Sequence, residues 1–112
     1  MRSFGVETDE LGDAVRVALT GDLDLSTAKQ AEEAIIEAEQ KRPPVLLLDL
    51  RGLTFMDSTG LRVVVSADKR AKRDDRRTVV VQGPAAVRRV FEITRLNERL
   101  DMIDSPEELE QQ

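Results

Sequence analysis

The sequence predicts an α/β domain built on a mixed, mostly parallel sheet of about four or five strands covered by amphipathic helices. Three observations carry this. VLLLDL (45–50) and TVVVQ (78–82) are nearly continuous apolar runs, as in strands buried on both faces of a parallel sheet. The segments between and around them repeat apolar residues at helical spacing. AVRVALT (14–20) alternates, as a half-buried strand does.

FGVET (4–8) is a weaker strand, and DELGD (9–13) supplies turn residues, so the chain opens on a hairpin. Residues 26–42 read as a helix. Thr27 is the expected N-cap, and Gln30 completes a capping box. Ala28, Ala31, Ile35 and Ala38 share a face with Ala34 beside them; Lys41 and Arg42 suit the negative helix end, and Pro43-Pro44 stops it. After the strand 45–50, a crossover is needed to reach 78–82, which predicts a helix from Thr59 to about Arg73. Leu61, Val64, Val65 and Ala71 would face inward, although the β-branched run Val63–Val65 disfavours helix. Gly83-Pro84 opens a third helix, lined inside by Val87, Val90, Phe91 and Thr94. Residues 100–103 offer an edge strand, and SPEELEQQ (105–112) a polar tail or short terminal helix. With 112 residues and no linker or repeat, 1–112 reads as one domain.

Composition narrows the function. There is no cysteine and no histidine. A Ser-His-Asp triad, a histidine base, thiolate chemistry and imidazole or thiolate metal sites are therefore excluded. A net charge of −5 and only three aromatic residues speak against direct nucleic-acid binding. MRSFGVETDE turns acidic too early for a signal peptide, and no apolar run approaches membrane-spanning length. The expected setting is the cytoplasm, with no membrane partner and no cofactor.

Sites in open α/β sheets gather at the carboxyl ends of parallel strands. Three such ends are readable: GDLD (21–24), RGLTFMDS (51–58) and Gly83-Pro84. They bring Ser58 toward Asp22, Asp24 and Asp57. Ser58 has four readings. As a helix N-cap it competes with Asp57. As a nucleophile it lacks an activating base. A carboxylate metal site from Asp22, Asp24 and Asp57 lacks the dense acid spacing of a calcium loop. As a phosphoacceptor at a helix start it is accessible, and a phosphate there would meet free backbone N–H groups and the positive dipole end. The cap and phosphoacceptor readings are compatible.

FMDSTGL (55–61), preceded by VLLLDLRGLT (45–54), resembles the signature of STAS domains, specifically the anti-sigma factor antagonists of bacteria. GDLDLSTA (21–28) is similar to their loop and helix start, and residues 84–109 to their third helix, edge strand and final short helix. The resemblance spans nearly the whole chain and implies a STAS-type fold and a partner-switching protein that is not an enzyme. It implies that the unmodified protein binds an anti-sigma factor serine kinase of GHKL type and so frees a sigma factor. The kinase would phosphorylate Ser58 and break the complex; a PP2C-type phosphatase would restore it. ATP and magnesium would belong to the kinase. The resemblance carries over Asp24, Asp57, Thr59, Gly60 and Leu61 as partner-binding residues, with Thr59 a second hydroxyl open to modification; Asp22 in the same loop and Arg62 beside the switch are expected to join them. Arg62 and Arg95 stand where the family often has glycine or another small residue. Lys69-Arg70-Ala71-Lys72-Arg73, followed by Arg76-Arg77, reads as a solvated helix end or a partner surface. Three other readings compete: a STAS scaffold or transporter subunit, a receiver domain phosphorylated on Asp49 but lacking the late lysine, and a serine-nucleophile enzyme.

Overall fold

The computed structural model describes residues 3–111; expectations that touch residues 1–2 and 112 lie outside it. The elements follow the expected order. They are β1 (Gly5–Leu11), β2 (Ala14–Leu23), α1 (Ala28–Glu39), β3 (Val45–Met56), α2 (Ser58–Arg73), β4 (Arg77–Val81), α3 (Ala85–Ile93) and β5 (Asp101–Ile103). Short 3-10 turns cover Leu96–Glu98 and Pro106–Gln111. The sheet runs β1-β2-β3-β4-β5; β1 is antiparallel to β2 and the remaining pairs are parallel.

The opening hairpin is tighter than the sequence suggested. β1 continues to Leu11, and only Gly12 and Asp13 turn the chain. Gly12 sits at φ 61°, which glycine accepts without steric cost. Helix α1 is shorter than 26–42. Its last turn tightens to three-residue spacing, with Lys41 N–H donating to the Ala38 carbonyl and Arg42 N–H to that of Glu39. Lys41 and Arg42 therefore lie beyond the helix rather than in its last turn.

One face of the sheet carries all three α-helices. Val15, Val17, Leu19, Leu46, Leu48, Leu50 and Val80 pack there against Ala31, Ile35, Val64, Ala67, Val87 and Phe91. On α2, Val63 is buried and Val65 only half-buried, the reverse of the simple inner-face expectation. The helix is wedged between the sheet and neighbouring helices, so its buried stripe is wide. Thr94 is exposed; its hydroxyl donates back to the Val90 carbonyl at 2.8 Å. The opposite face is smaller. Leu47, Val79, Val81 and Ile103 form its apolar part, with Leu109 of the terminal turn against them.

The basic stretch of α2 is structural in part. Arg70 donates to both carboxylate oxygens of buried Glu39 on α1, at 2.8 and 3.1 Å. Lys72 pairs with Asp68 one turn back, and Arg76 and Arg73 with Asp74. Arg70 thus locks two helices together, whereas exposed pairs such as Arg73–Asp74 contribute little. Arg70→Ala leaves the Glu39 carboxylate buried without its partner, so stability should fall by about 3 kcal/mol. Urea unfolding checks this, and Arg73→Ala should move the midpoint far less.

Candidate functional site

The site grows from two strands that run longer than the sequence suggested. β3 does not end at Leu50 but continues to Met56, and β2 continues to Leu23. β4 pairs with β3 only as far as Asp49, so the last residues of β2 and β3 form a two-stranded extension beyond the β4 pairing. Two register shifts make this possible: Ala18 and Thr20 face Asp49 and Gly52, then Gly21 and Asp22 face Leu53 and Phe55. Each inserts an extra residue into β3, which bends the strand and disrupts the apolar alternation.

Carboxylates hold both bulges. Asp49 accepts the Arg51 N–H at 3.1 Å and the Arg51 guanidinium at 3.0 and 2.7 Å. Asp22 Oδ1 accepts the Thr54 hydroxyl at 2.7 Å. In the parallel register, Asp22 and Phe55 stand side by side, as do Leu23 and Met56. The second pair is buried; Phe55 is left at the surface.

The chain then turns into α2, and Asp57, not Ser58, is the cap. Its backbone is extended (φ −106°, ψ −170°), and Oδ1 accepts the N–H groups of Thr59 and Gly60 at 2.9 and 3.1 Å. Aspartate is favoured there because it satisfies orphan donors and meets the positive helix end. Ser58 is the first helical residue and is exposed. The expectation that a phosphate on Ser58 would meet free amides is corrected for Thr59 and Gly60, whose N–H groups Asp57 already occupies.

The Asp22–Thr27 segment lies against this turn. Asp57 N–H donates to the Leu23 carbonyl at 3.3 Å. Gly60 is buried where a Cβ would lie 2.7 Å from the Leu23 carbonyl oxygen and 2.7 Å from Met56 Cγ, so only glycine fits without movement. Leu61 points into the core. Gly60 and Leu61 therefore shape the segment rather than offer contact surface. Thr59 is half-buried, and Arg62 is exposed one helical turn beyond Ser58.

The expected Thr27 capping box does not form. The Thr27 hydroxyl donates to the Asp22 carbonyl at 2.8 Å and accepts the Asp24 N–H at 3.0 Å. Asp24 Oδ1 instead accepts the Ser26 hydroxyl and N–H at 2.7 and 3.0 Å. The Ser26 hydroxyl bond, aided by that amide, holds the Asp24 carboxyl below its ordinary value despite some desolvation. Asp24 is thus a half-buried carboxylate whose charged form a fixed turn favours.

Asp24, Leu25, Ser26, Phe55 and Asp57 line one shallow depression. The sequence reading missed Leu25 and Phe55. A usable signal existed: Phe55 and Met56 are adjacent in a strand, and successive side chains point to opposite faces. Among the described residues, no group of three or more carboxylates is gathered closely enough to hold a metal ion. None of the described helices is long and apolar enough to cross a membrane.

Asp49 is unlike a receiver's phosphoacceptor. It lies inside β3, is buried, and is engaged by Arg51, with Arg16 Nη1 at 3.8 Å and Asp9 bonded to the far side of Arg16.

A family model described as the STAS domain matches residues 5–109. The chain belongs to the STAS domain family. The anti-sigma-B factor antagonist of Listeria monocytogenes is 32% identical over 90 residues, covering 80% of this chain and 79% of that protein. Among solved structures, an anti-sigma factor antagonist from Mycobacterium paratuberculosis superposes with a TM-score of 0.87 at 24% identity, covering 95% of this STAS chain and 90% of that one. The Bacillus cell fate determinant SpoIIAA, solved in its phosphorylated form, gives 0.71 at 22% identity, covering 97% and 98%. The five-stranded mixed sheet and three α-helices are the architecture these STAS neighbours share.

Two outcomes follow. Burial opposes ionisation of Asp49, but the bonds from Arg51 and the nearby Arg16 charge outweigh it and keep the carboxyl below its ordinary value of 3.8. A depressed folded-state pKa adds stability above the unfolded value that is lost as pH falls through the folded one. Asp49→Asn should therefore flatten the stability loss below about pH 4 in urea titrations taken across acid pH. Gly60→Ala should cost about 1–3 kcal/mol by overpacking against Leu23, read from the same unfolding midpoint at neutral pH.

Proposed function

We propose that this chain is an anti-sigma factor antagonist working by partner switching. Its unmodified form binds an anti-sigma factor, a serine kinase of GHKL type, and so releases a sigma factor. Phosphorylation of Ser58 ends the binding, and a PP2C-type phosphatase reverses it. The observation that carries this reading is the exposed Ser58 hydroxyl on the first turn of α2, beside a cap already made by Asp57. The names of the relatives point the same way.

The chemistry of the switch follows from charge. A phosphate on Ser58 adds about −1.5 to −2 at neutral pH. It joins Asp57, Asp24 and Asp22, all acidic. With the Thr59 and Gly60 amides engaged by Asp57, the added charge has little reason to refold the turn and acts outward on the partner. Asp22, Asp24, Asp57 and Arg62 are the polar contact residues in this reading; Thr59, Gly60 and Leu61 hold the serine in place. Ser58 is exposed whereas Thr59 is half-buried, which favours Ser58 as the acceptor.

The purified chain titrated with the anti-sigma factor of its own bacterium tests this. Ser58→Ala should bind and stay bound after ATP is added, while Ser58→Asp should bind at least about tenfold more weakly. Mass spectrometry of the wild type after kinase treatment should find the phosphate on Ser58. Equal binding by all three proteins, or a phosphate on Thr59 alone, would overturn the assignment.

A further inference from the structure

We infer that Leu25 and Phe55 form an apolar anchor beside Ser58 that receives a hydrophobic side chain from a protein partner whose contact surface is rimmed by arginine or lysine. The inference rests on the proposed function, because it takes that partner to be the anti-sigma factor.

Leu25 is 80% exposed and Phe55 43%, in a chain whose other large apolar side chains are mostly buried. Of the three phenylalanines, Phe91 is fully buried and Phe4 half-buried, so the most exposed aromatic stands three residues before Ser58. Both side chains line the same depression although they come from different segments. Neither is displaced by chance. Leu25 sits in the turn that Asp24, Ser26 and Thr27 close with their hydrogen bonds. Phe55 is turned outward by the bulge and by its pairing with Asp22. Exposed apolar surface of this kind is costly unless something covers it.

Charge identifies the occupant. Asp24 and Asp57 line the depression itself, and Asp22 stands next to Phe55. An apolar centre within an acidic rim fits a protein surface with the inverse pattern, and it disfavours anionic lipid. Aromatic anchors surrounded by polar contacts are where binding energy concentrates in protein interfaces. The position also couples the anchor to the switch: charge placed on Ser58 falls at the edge of the patch that must be dehydrated for docking.

The test compares the full chain with Leu25→Ala, Leu25→Met and Phe55→Ala by calorimetric titration against the purified anti-sigma factor. Phe55→Ala should weaken binding about 30-fold and Leu25→Ala about tenfold, with Leu25→Met close to wild type. Urea midpoints serve as the folding control; if Phe55→Ala shifts its midpoint, Leu25→Ala against Leu25→Met decides alone. Wild-type affinity for the alanine variants, with Ser58→Asp still impaired, would overturn the anchor and leave the switch standing. A wild type that does not bind the anti-sigma factor would overturn the proposed function and this partner together. A wild type that sediments as a dimer which Leu25→Ala dissociates would make a second copy the occupant and overturn the assignment.

Discussion

The extended parallel pairing of β2 with β3 is the constraint on which the site depends. It continues past the end of β4, through two bulges, until Leu23 faces Met56. Without it, Asp22–Asp24 and Asp57–Ser58 would be two loops on separate tethers. With it, they are consecutive ends of one hydrogen-bonded ribbon, joined again by the Asp57 N–H to the Leu23 carbonyl. Gly60 completes the joint, because a side chain there would push α2 away from Leu23. Backbone geometry therefore brings the Ser58 hydroxyl to the carboxylates before any side chain is considered.

Asp57 decides what kind of switch this arrangement supports. A capping serine would tie up its own hydroxyl, and modification would then cost the helix its cap. Here the cap is the neighbouring aspartate, worth about 1 kcal/mol to the helix start. The serine is left outside the hydrogen-bond framework and the framework does not need it. Phosphorylation of such a serine changes the surface potential more than the fold. That separation of scaffold from signal suits the partner switching proposed for this chain.

Most of the fold was legible because apolar pattern and period agreed: Leu46–Leu50, Val79–Val81 and the Val87–Phe91 stripe occupy their expected places. The family resemblance likewise led to the right architecture. What escaped was local chemistry that breaks the pattern. Bulges hid the second half of β3, since Arg51, Gly52 and Thr54 do not alternate as strand residues should. Thr27 stands at the N-cap position as expected, but the β2–α1 turn engages its hydroxyl, so no capping box forms. Arg70 looked like solvated helix end, and only the fold reveals the buried Glu39 thirty-one residues away. Leu25 was the least legible. Strand alternation from Leu23 would place it in the core, and the Asp24 turn is what rotates it outward.

Stability and exposure are distributed unequally over the molecule. Arg70–Glu39 joins the far ends of α1 and α2, and the Asp9–Arg16–Asp49–Arg51 series spans the helix-free face of the sheet. These interactions anchor the scaffold away from Ser58. At the site the balance runs the other way. Fully burying a leucine or phenylalanine is worth roughly 1.5–3 kcal/mol, and Leu25 and Phe55 forgo much of that. A domain that already encloses Phe91, Ile35 and the leucines of β2 and β3 tolerates that loss. In the proposed docking, the stabilisation withheld from folding becomes available on contact with the partner. A charge introduced at Ser58 opposes its release by keeping the patch hydrated.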